Sequence, residues 1–182
     1  MYEAFKTRAV AVGAEVHRFE TKRDALDFLL PFLEKEGVAD SAGSYAVWAD
    51  CPFLEGVDRQ ALQKVPGLSF EVTRSRSSQA VVGISQAQWA VADTGSLVLD
   101  QAAVEQRLVS SLPTIHVALI ASDNIVAGKA PVFAKINPKN SRYIAFITGP
   151  SRTADIERVL TIGVHGPKRL VIIFVDELGG GK

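Results

Sequence analysis

Apolar and polar positions switch between a helical and an extended rhythm along the chain. Residues from Glu3 to about Gly13 read as a helix of mixed polarity. Glu15–Glu20 sets Val16 and Arg18 against His17 and Phe19, the period of a strand. Thr21 with Asp24 three residues on forms a capping box. Ala25, Leu26, Leu29, Leu30 and Leu33 follow at helical spacing until Gly37 ends the helix. Ser44–Ala49 predicts a strand, Val57–Val65 a short helix stopped before Pro66, and Leu68–Thr73 another strand. Arg74–Gln79 is polar and reads as a solvated loop.

In the second half, Ser85 with Gln88 repeats the capping-box spacing. It predicts a short helix through Trp89 and Val91, ended by Gly95. Ser96–Leu99 and Ile115–Ala121 predict strands. Residues 123–142 read mostly as loop, with a helical turn near Val132–Ile136. Tyr143–Thr148 and Leu170–Val175 are continuous apolar runs of β type. Such runs are buried on both faces, which implies an α/β domain whose sheet is covered by helices on each side. Ser151 is placed to cap a further helix that would bury Ala154, Ile156, Val159 and Leu160. No repeat or linker divides the chain, so residues 1–182 read as one domain.

Composition removes several function classes. A domain of 182 residues buries roughly 70% of the surface its unfolded chain exposes. The 20 basic and 20 acidic side chains cancel, so nothing calls for nucleic acid or an anionic membrane. The longest apolar runs are about seven residues, far below the roughly 20 of a membrane span. Cys51 is the single cysteine, and His17, His116 and His165 are widely separated. Zinc and iron–sulfur sites need clustered ligands, so the chain is not expected to hold a metal or cluster alone. The N-terminus has an acid early and no apolar core of signal-peptide length, so cytoplasmic residence is expected.

Four stretches could carry chemistry. Gly149 to Asp155 follows a strand and opens the predicted helix. Free amides there would attract an anion, with the hydroxyls of Ser151 and Thr153 and the guanidinium of Arg152 as further donors. A capped helix with Arg152 in solvent accounts for the same residues. Asp93-Thr94-Gly95-Ser96 offers a carboxylate for proton handling and two hydroxyls, or is an ordinary turn. In Arg107–His116, Pro113 makes Ser110 and Ser111 loop residues. His116 opens a strand, where a hydrogen-bonded structural role is the simpler reading, and Arg107 could neutralise an acid. His165 lies between Gly163 and Gly166-Pro167, and could move protons near neutral pH or merely turn the chain. Arg74–Ser78, Lys135, Lys139 and Arg142 read as surface polarity, and Cys51 lacks a neighbouring base.

Three ordered segments, GISQAQWAVADTGSLVL, RLVSSLPTIHVALI and ITGPSRTADIERVLTIGVHGP, resemble the lactate-utilisation (LUD) domain family and its protein C branch. The resemblance covers about residues 80 to 176 well and the first 80 by layout. It implies a three-layer α/β/α sandwich with a mostly parallel sheet, similar to the sugar-phosphate isomerase and CoA-transferase-like superfamily. It also implies a role in oxidising L-lactate to pyruvate beside partner subunits that carry iron–sulfur clusters. By position, the family's acidic-Thr-Gly motif falls on Asp93, Thr94 and Gly95, where many relatives carry Glu in place of Asp93. The Arg-Leu…Leu-Pro…His pattern falls on Arg107 through His116, and the longest motif on Gly149 through Glu157. Val-His-Gly-Pro falls on Val164 through Pro167. The resemblance thus makes Asp93 and His165 candidate proton-handling groups. It makes Thr94, Gly95, Ser96, Arg107, His116, Gly149, Ser151, Arg152, Thr153 and Asp155 candidate ligand contacts. The chain is shorter at its N-terminus than the longest relatives, so a partner-docking extension of theirs is expected to be absent. Two other expectations stay open. One is a stand-alone enzyme on a phosphorylated or CoA-linked organic acid. The other is a non-catalytic assembly or regulatory subunit.

Overall fold

The chain enters through helix α1 (Tyr2–Ala11), which buries Phe5 and Ala9, and strand β1 (Glu15–Phe19). In this computed structural model, residues 1–137, 139–141, 143–154 and 160–179 are described. Thr21 and Asp24 close the predicted capping box and start α2 (Lys22–Lys35), which buries Ala25, Leu29, Phe32 and Leu33. Next come β2 (Tyr45–Trp48), α3 (Arg59–Leu62), β3 (Leu68–Ser69), α4 (Arg74–Ser78) and β4 (Ala80–Gln86). A meander follows, with β5 (Trp89–Val91), β6 (Ser96–Asp100), α5 (Val104–Ser111) and β7 (Ile115–Ala121). The remainder is β8 (Ile125–Val126), α6 (Lys129–Lys135), β9 (Ile144–Ile147), the antiparallel pair β10 (Arg152–Ala154) and β11 (Leu160–Ile162), and β12 (Arg169–Val175).

Six strands form one sheet in the order β1-β12-β7-β4-β2-β3, and every adjacent pair is parallel. The apolar runs of β7 and β12 lie at its centre, buried on both faces. One face sends Val117, Leu119, Val171 and Ile173 against Leu29 and Leu33 of α2 and Leu62 of α3. The other sends Ala118, Ile120, Ile172 and Phe174 against Phe5 and Ala9 of α1 and Ala90, Leu97 and Leu99 of a second sheet. That sheet has the order β8-β5-β6-β9. The fold is α/β with a parallel sheet, as expected. Its third layer, however, combines α1 and α5 with four short strands.

Several local expectations give way. The stretch after Ser85 is strand, not helix. The Ser85 hydroxyl is used inside the core, and Gln88 Oε1 accepts from the Asp100 amide at 2.6 Å. Gly95, at φ +65°, turns β5 into β6 rather than ending a helix. Arg74–Ser78 is a helix capped by the Thr73 hydroxyl, and only Leu68–Ser69 of the predicted strand before it pairs. Ser110 and Ser111 close α5 rather than lying in a loop. The run from Tyr143 is only partly buried, because β9 pairs with β6 alone at a sheet edge. The helix expected from Ser151 is instead strand at Arg152–Ala154 and Leu160–Ile162. Asp155, Ile156 and Val159 of that helix, and Arg142, lie outside the described residues.

An ion-pair cluster fastens the amino ends of the sheet. Arg169 Nε and Nη2 meet the Glu15 carboxylate at 2.8 and 3.2 Å, and Nη1 meets Glu36 Oε1 at 2.8 Å. These bonds raise the guanidinium's pKa above its usual range. The arginine side chain keeps 39% of its exposure, so solvent screens much of this. Arg169→Met is expected to cost on the order of 1 kcal/mol in urea denaturation. The loss should shrink when Glu36→Gln is already present.

Candidate functional site

Beside the amino ends of β7 and β12 lies a cavity of about 350 Å³. Its wall is built from five places in the sequence: Ser110 and Ser111 of α5, His116 at the start of β7, Phe146 through Arg152, His165 through Pro167, and Leu170 at the start of β12. Open parallel sheets usually take ligands beyond their carboxyl ends. The Gly149–Arg152 loop lies instead at the amino ends of the main sheet, because β9, which leads into it, belongs to the second sheet.

Backbone contacts shape the loop. Gly149 has φ +70°, and a Cβ there would stand 2.4 Å from the Val12 carbonyl oxygen, so only glycine fits. Arg152 donates to that same carbonyl, which ties the loop to the end of α1. The Ser151 amide donates to the Pro167 carbonyl at 2.9 Å, and Gly163 donates to the Ser151 carbonyl at 2.9 Å. The Ser151 amide is therefore spent within the protein, and no helix N-terminus presents it to an anion. Ser151 and Arg152 both line the cavity.

His116 forms the buried part of the wall, with 1% of its surface exposed. Its Nε2 lies 2.8 Å from Ser85 Oγ on the neighbouring strand β4. Burial pushes its pKa down to about 4, so the ring is neutral at physiological pH. Nδ1 is buried and has no hydrogen-bond partner among the described residues. Ser110 and Ser111 stand close because α5 packs directly on β4. A Cβ on Gly83 would lie 2.0 Å from the Val109 carbonyl oxygen. Both serine hydroxyls donate to the Arg107 carbonyl, at 3.2 and 2.5 Å.

The candidate residues separate into groups. His116, Gly149, Ser151, Arg152 and His165 share the cavity. Ser96 and Thr94 stand behind its wall. Ser96 donates to Thr94 Oγ1 at 2.8 Å, so Thr148, which borders the cavity, donates to Ser96 across 2.7 Å. Gly95 packs against Arg8 and Ala9 of α1. Asp93 is exposed and lines a different cavity with Glu3, Thr7 and Arg8, so the structure does not bring it to His165 or Arg152. Arg107 donates to the Gln101 carbonyl at 2.8 Å and sits over the Tyr143 ring, outside the wall. Thr153 faces Thr161 across the β10–β11 pair, and Asp155 is outside the described residues. The candidate set omits Ser85, Ser110, Ser111 and Thr148. The RLVSSLPTIH segment carries the two serines, but no sequence signal pairs Ser85 with His116.

Among the described residues, no cluster of three His, Cys, Asp or Glu side chains could hold a metal, and no helix is long and apolar enough to cross a membrane.

Parallel sheet, second sheet and amino-end cavity define an α/β protein, and the LUD domain family model matches residues 2–175. The chain belongs to the LUD domain family, on its lactate utilization protein C branch. It is similar to Lactate utilization protein C of Geobacillus sp. strain WCH70, with 37% identity over 161 residues, 79% of this chain and 67% of that one. The proteins of the same name from Halalkalibacterium halodurans and Bacillus subtilis are each 36% identical over 108 residues, 56% of this chain. Those matches span 47% and 45% of the relatives, so this chain covers about half the length of these proteins. A DUF162 family protein from Deinococcus radiodurans shares the fold, with a TM-score of 0.57 at 20% identity over 96% of this chain and 95% of that one.

Proposed function

We propose that this chain is a component of an L-lactate utilisation system, which oxidises L-lactate to pyruvate in the cytoplasm with partner subunits that carry iron–sulfur clusters. The observation that carries this reading is the 37% identity to a lactate utilization protein C over 79% of the chain. In this reading the amino-end cavity takes a small organic acid. Ser151 and Arg152 serve its anionic end, and His165 is the proton-handling group at the mouth. Asp93 has no place in that cavity and is left out of the mechanism. Electron transfer falls to the partners. The test is growth on L-lactate after deletion of the gene in a host with no second copy. Loss of growth, restored by the native gene, is expected. Undiminished growth would refute the reading.

A second reading, a stand-alone enzyme on a phosphorylated or CoA-linked acid, has one observation in its favour. A neighbouring cavity of about 410 Å³ shares Ser111, His165 and Gly166 with the first and adds Lys168 and Thr114. Together they form room for a longer ligand with an anionic tail. A thermal-shift screen of organic acids, sugar phosphates and CoA esters against the purified chain separates the two. This reading requires stabilisation by a phosphorylated or CoA-linked compound.

A further inference from the structure

Strand β9 closes the second sheet on one side. It pairs with β6 and, among the described residues, with no other strand. The Gln101 amide donates to the Tyr143 carbonyl at 2.8 Å, which makes Tyr143 and Gln101 a hydrogen-bonded pair of this antiparallel ladder. Such pairs alternate, so the amides and carbonyls of Ile144 and Phe146 point away from β6, along the free edge. Native proteins usually guard such an edge with a charge, a proline or a bulge. Ile144–Ile147 has no charge and no proline, and its register with β6 is unbroken. Side chains alternate along the strand, and each face of the edge presents an aromatic ring with a cation over it. On one face, Phe146 stands 5.7 Å from the ring of Phe133 on α6, which is 60% exposed, and Lys129 Nζ lies 5.9 Å from the Phe146 ring. On the other, Tyr143 is 50% exposed and lies under the Arg107 guanidinium at 5.0 Å.

We propose that this edge docks a partner protein through an extended segment of apolar and acidic residues, which adds a strand beside β9. Charge defines the partner. Between Asn124 and Ala154 the charged side chains are Lys129, Lys135, Lys139, Arg142 and Arg152, with no acid among them, although the whole chain is neutral. Lys129, Lys135 and Lys139 are exposed. Asp100, across from Ile144 on β6, has its carboxylate occupied by the Ser141 hydroxyl at 2.7 Å. A second copy of the chain would set cation against cation across a two-fold axis, so it is a poor occupant. Nucleic acid would meet the cations and the rings but cannot continue the backbone ladder from Ile144 and Phe146. In the added strand, acids three positions apart face opposite sides. One meets Lys129 and the other Arg107, and the apolar residues between them pack along the rings.

The proposal does not depend on what the amino-end cavity binds. Its test uses the ¹⁵N-labelled full chain, titrated to millimolar concentration with the capped peptide Thr-Glu-Val-Ile-Glu-Thr and followed by NMR. The expected result is that the Ile144 and Phe146 amide signals move and that their exchange with water slows. Lys129→Glu, at an exposed position, should weaken the peptide about tenfold. That variant should instead prefer one of the two peptides in which a single Glu is replaced by Lys, and the one it prefers gives the direction of the added strand. Ile144 and Phe146 signals that stay fixed, an affinity that Lys129→Glu leaves unchanged, or a variant that prefers neither Lys peptide would overturn the proposal. Equal or tighter binding of oligothymidylate at the same amides would also overturn it, by making a nucleic acid the occupant. So would a stable dimer of the native chain in analytical ultracentrifugation that Phe133→Glu dissolves, which would make the occupant a second copy.

Discussion

Gly83→Val should destabilise the protein by roughly 3 kcal/mol or more and lower its melting temperature by about 6–12 °C. The cause is steric and local. Gly83 is on central strand β4, on the face that meets α5. A Cβ there would lie 2.0 Å from the Val109 carbonyl oxygen and 2.7 Å from Pro113 Cγ. The first obstacle is backbone, which cannot rotate away as a side chain can. The helix must lift off the sheet, and it carries Ser110 and Ser111 with it. Differential scanning calorimetry reads the stability loss. A variant melting within about 2 °C of the native chain would show that α5 does not pack on β4 as described.

Acid should cost the fold about 3 kcal/mol through His116 alone. The folded-state pKa is pushed down to about 4 by burial, against an ordinary value of 6.5. Between those values the unfolded chain binds the proton and the folded chain does not. Stability therefore falls as the pH drops from 6.5 towards 4, and is fully retained above 6.5. Burial lowers the His17 pKa too, and the Arg18 bond lowers that of Asp176, so both push in the same direction. Comparing urea denaturation of the native chain and His116→Asn at pH 7 and pH 4.5 isolates the buried ring. The native chain should lose markedly more stability than the variant. Parallel losses would mean that the ring is solvated or charge-paired.

Most of the main sheet can be read from the sequence because its signals are local. The apolar runs of β7 and β12, the alternation of β1, and the Thr21–Asp24 box each act within a few residues. Two of the misread segments share one cause, which is that their polar residues answer to distant partners. Ser85 and Gln88 have capping spacing, yet one bonds His116 on β7 and the other the Asp100 amide. Ser151 looks like a helix cap, but its amide and carbonyl are held by Pro167 and Gly163. The Gly149–Arg152 loop and the two histidines are visible as motifs. Their meeting place is not, because it depends on how β9 leaves the second sheet and passes the end of α1. Asp93 shows the converse. It lies in a recognisable motif, but its Gly95 neighbour is fixed against α1 and its carboxylate lines another cavity.

In the proposed function the amino-end cavity, and not the one beside Asp93, takes the ligand. Two bulky substitutions test it in the deletion host on L-lactate. Ser111→Trp fills the wall shared by the two adjoining cavities, from an exposed position that the fold tolerates. Thr7→Trp does the same beside Asp93, also from an exposed position. With both proteins confirmed as folded and expressed, the predicted result is no growth with Ser111→Trp and native growth with Thr7→Trp. Native growth with Ser111→Trp, or its loss with Thr7→Trp, would mean that the amino-end cavity is not the functional site.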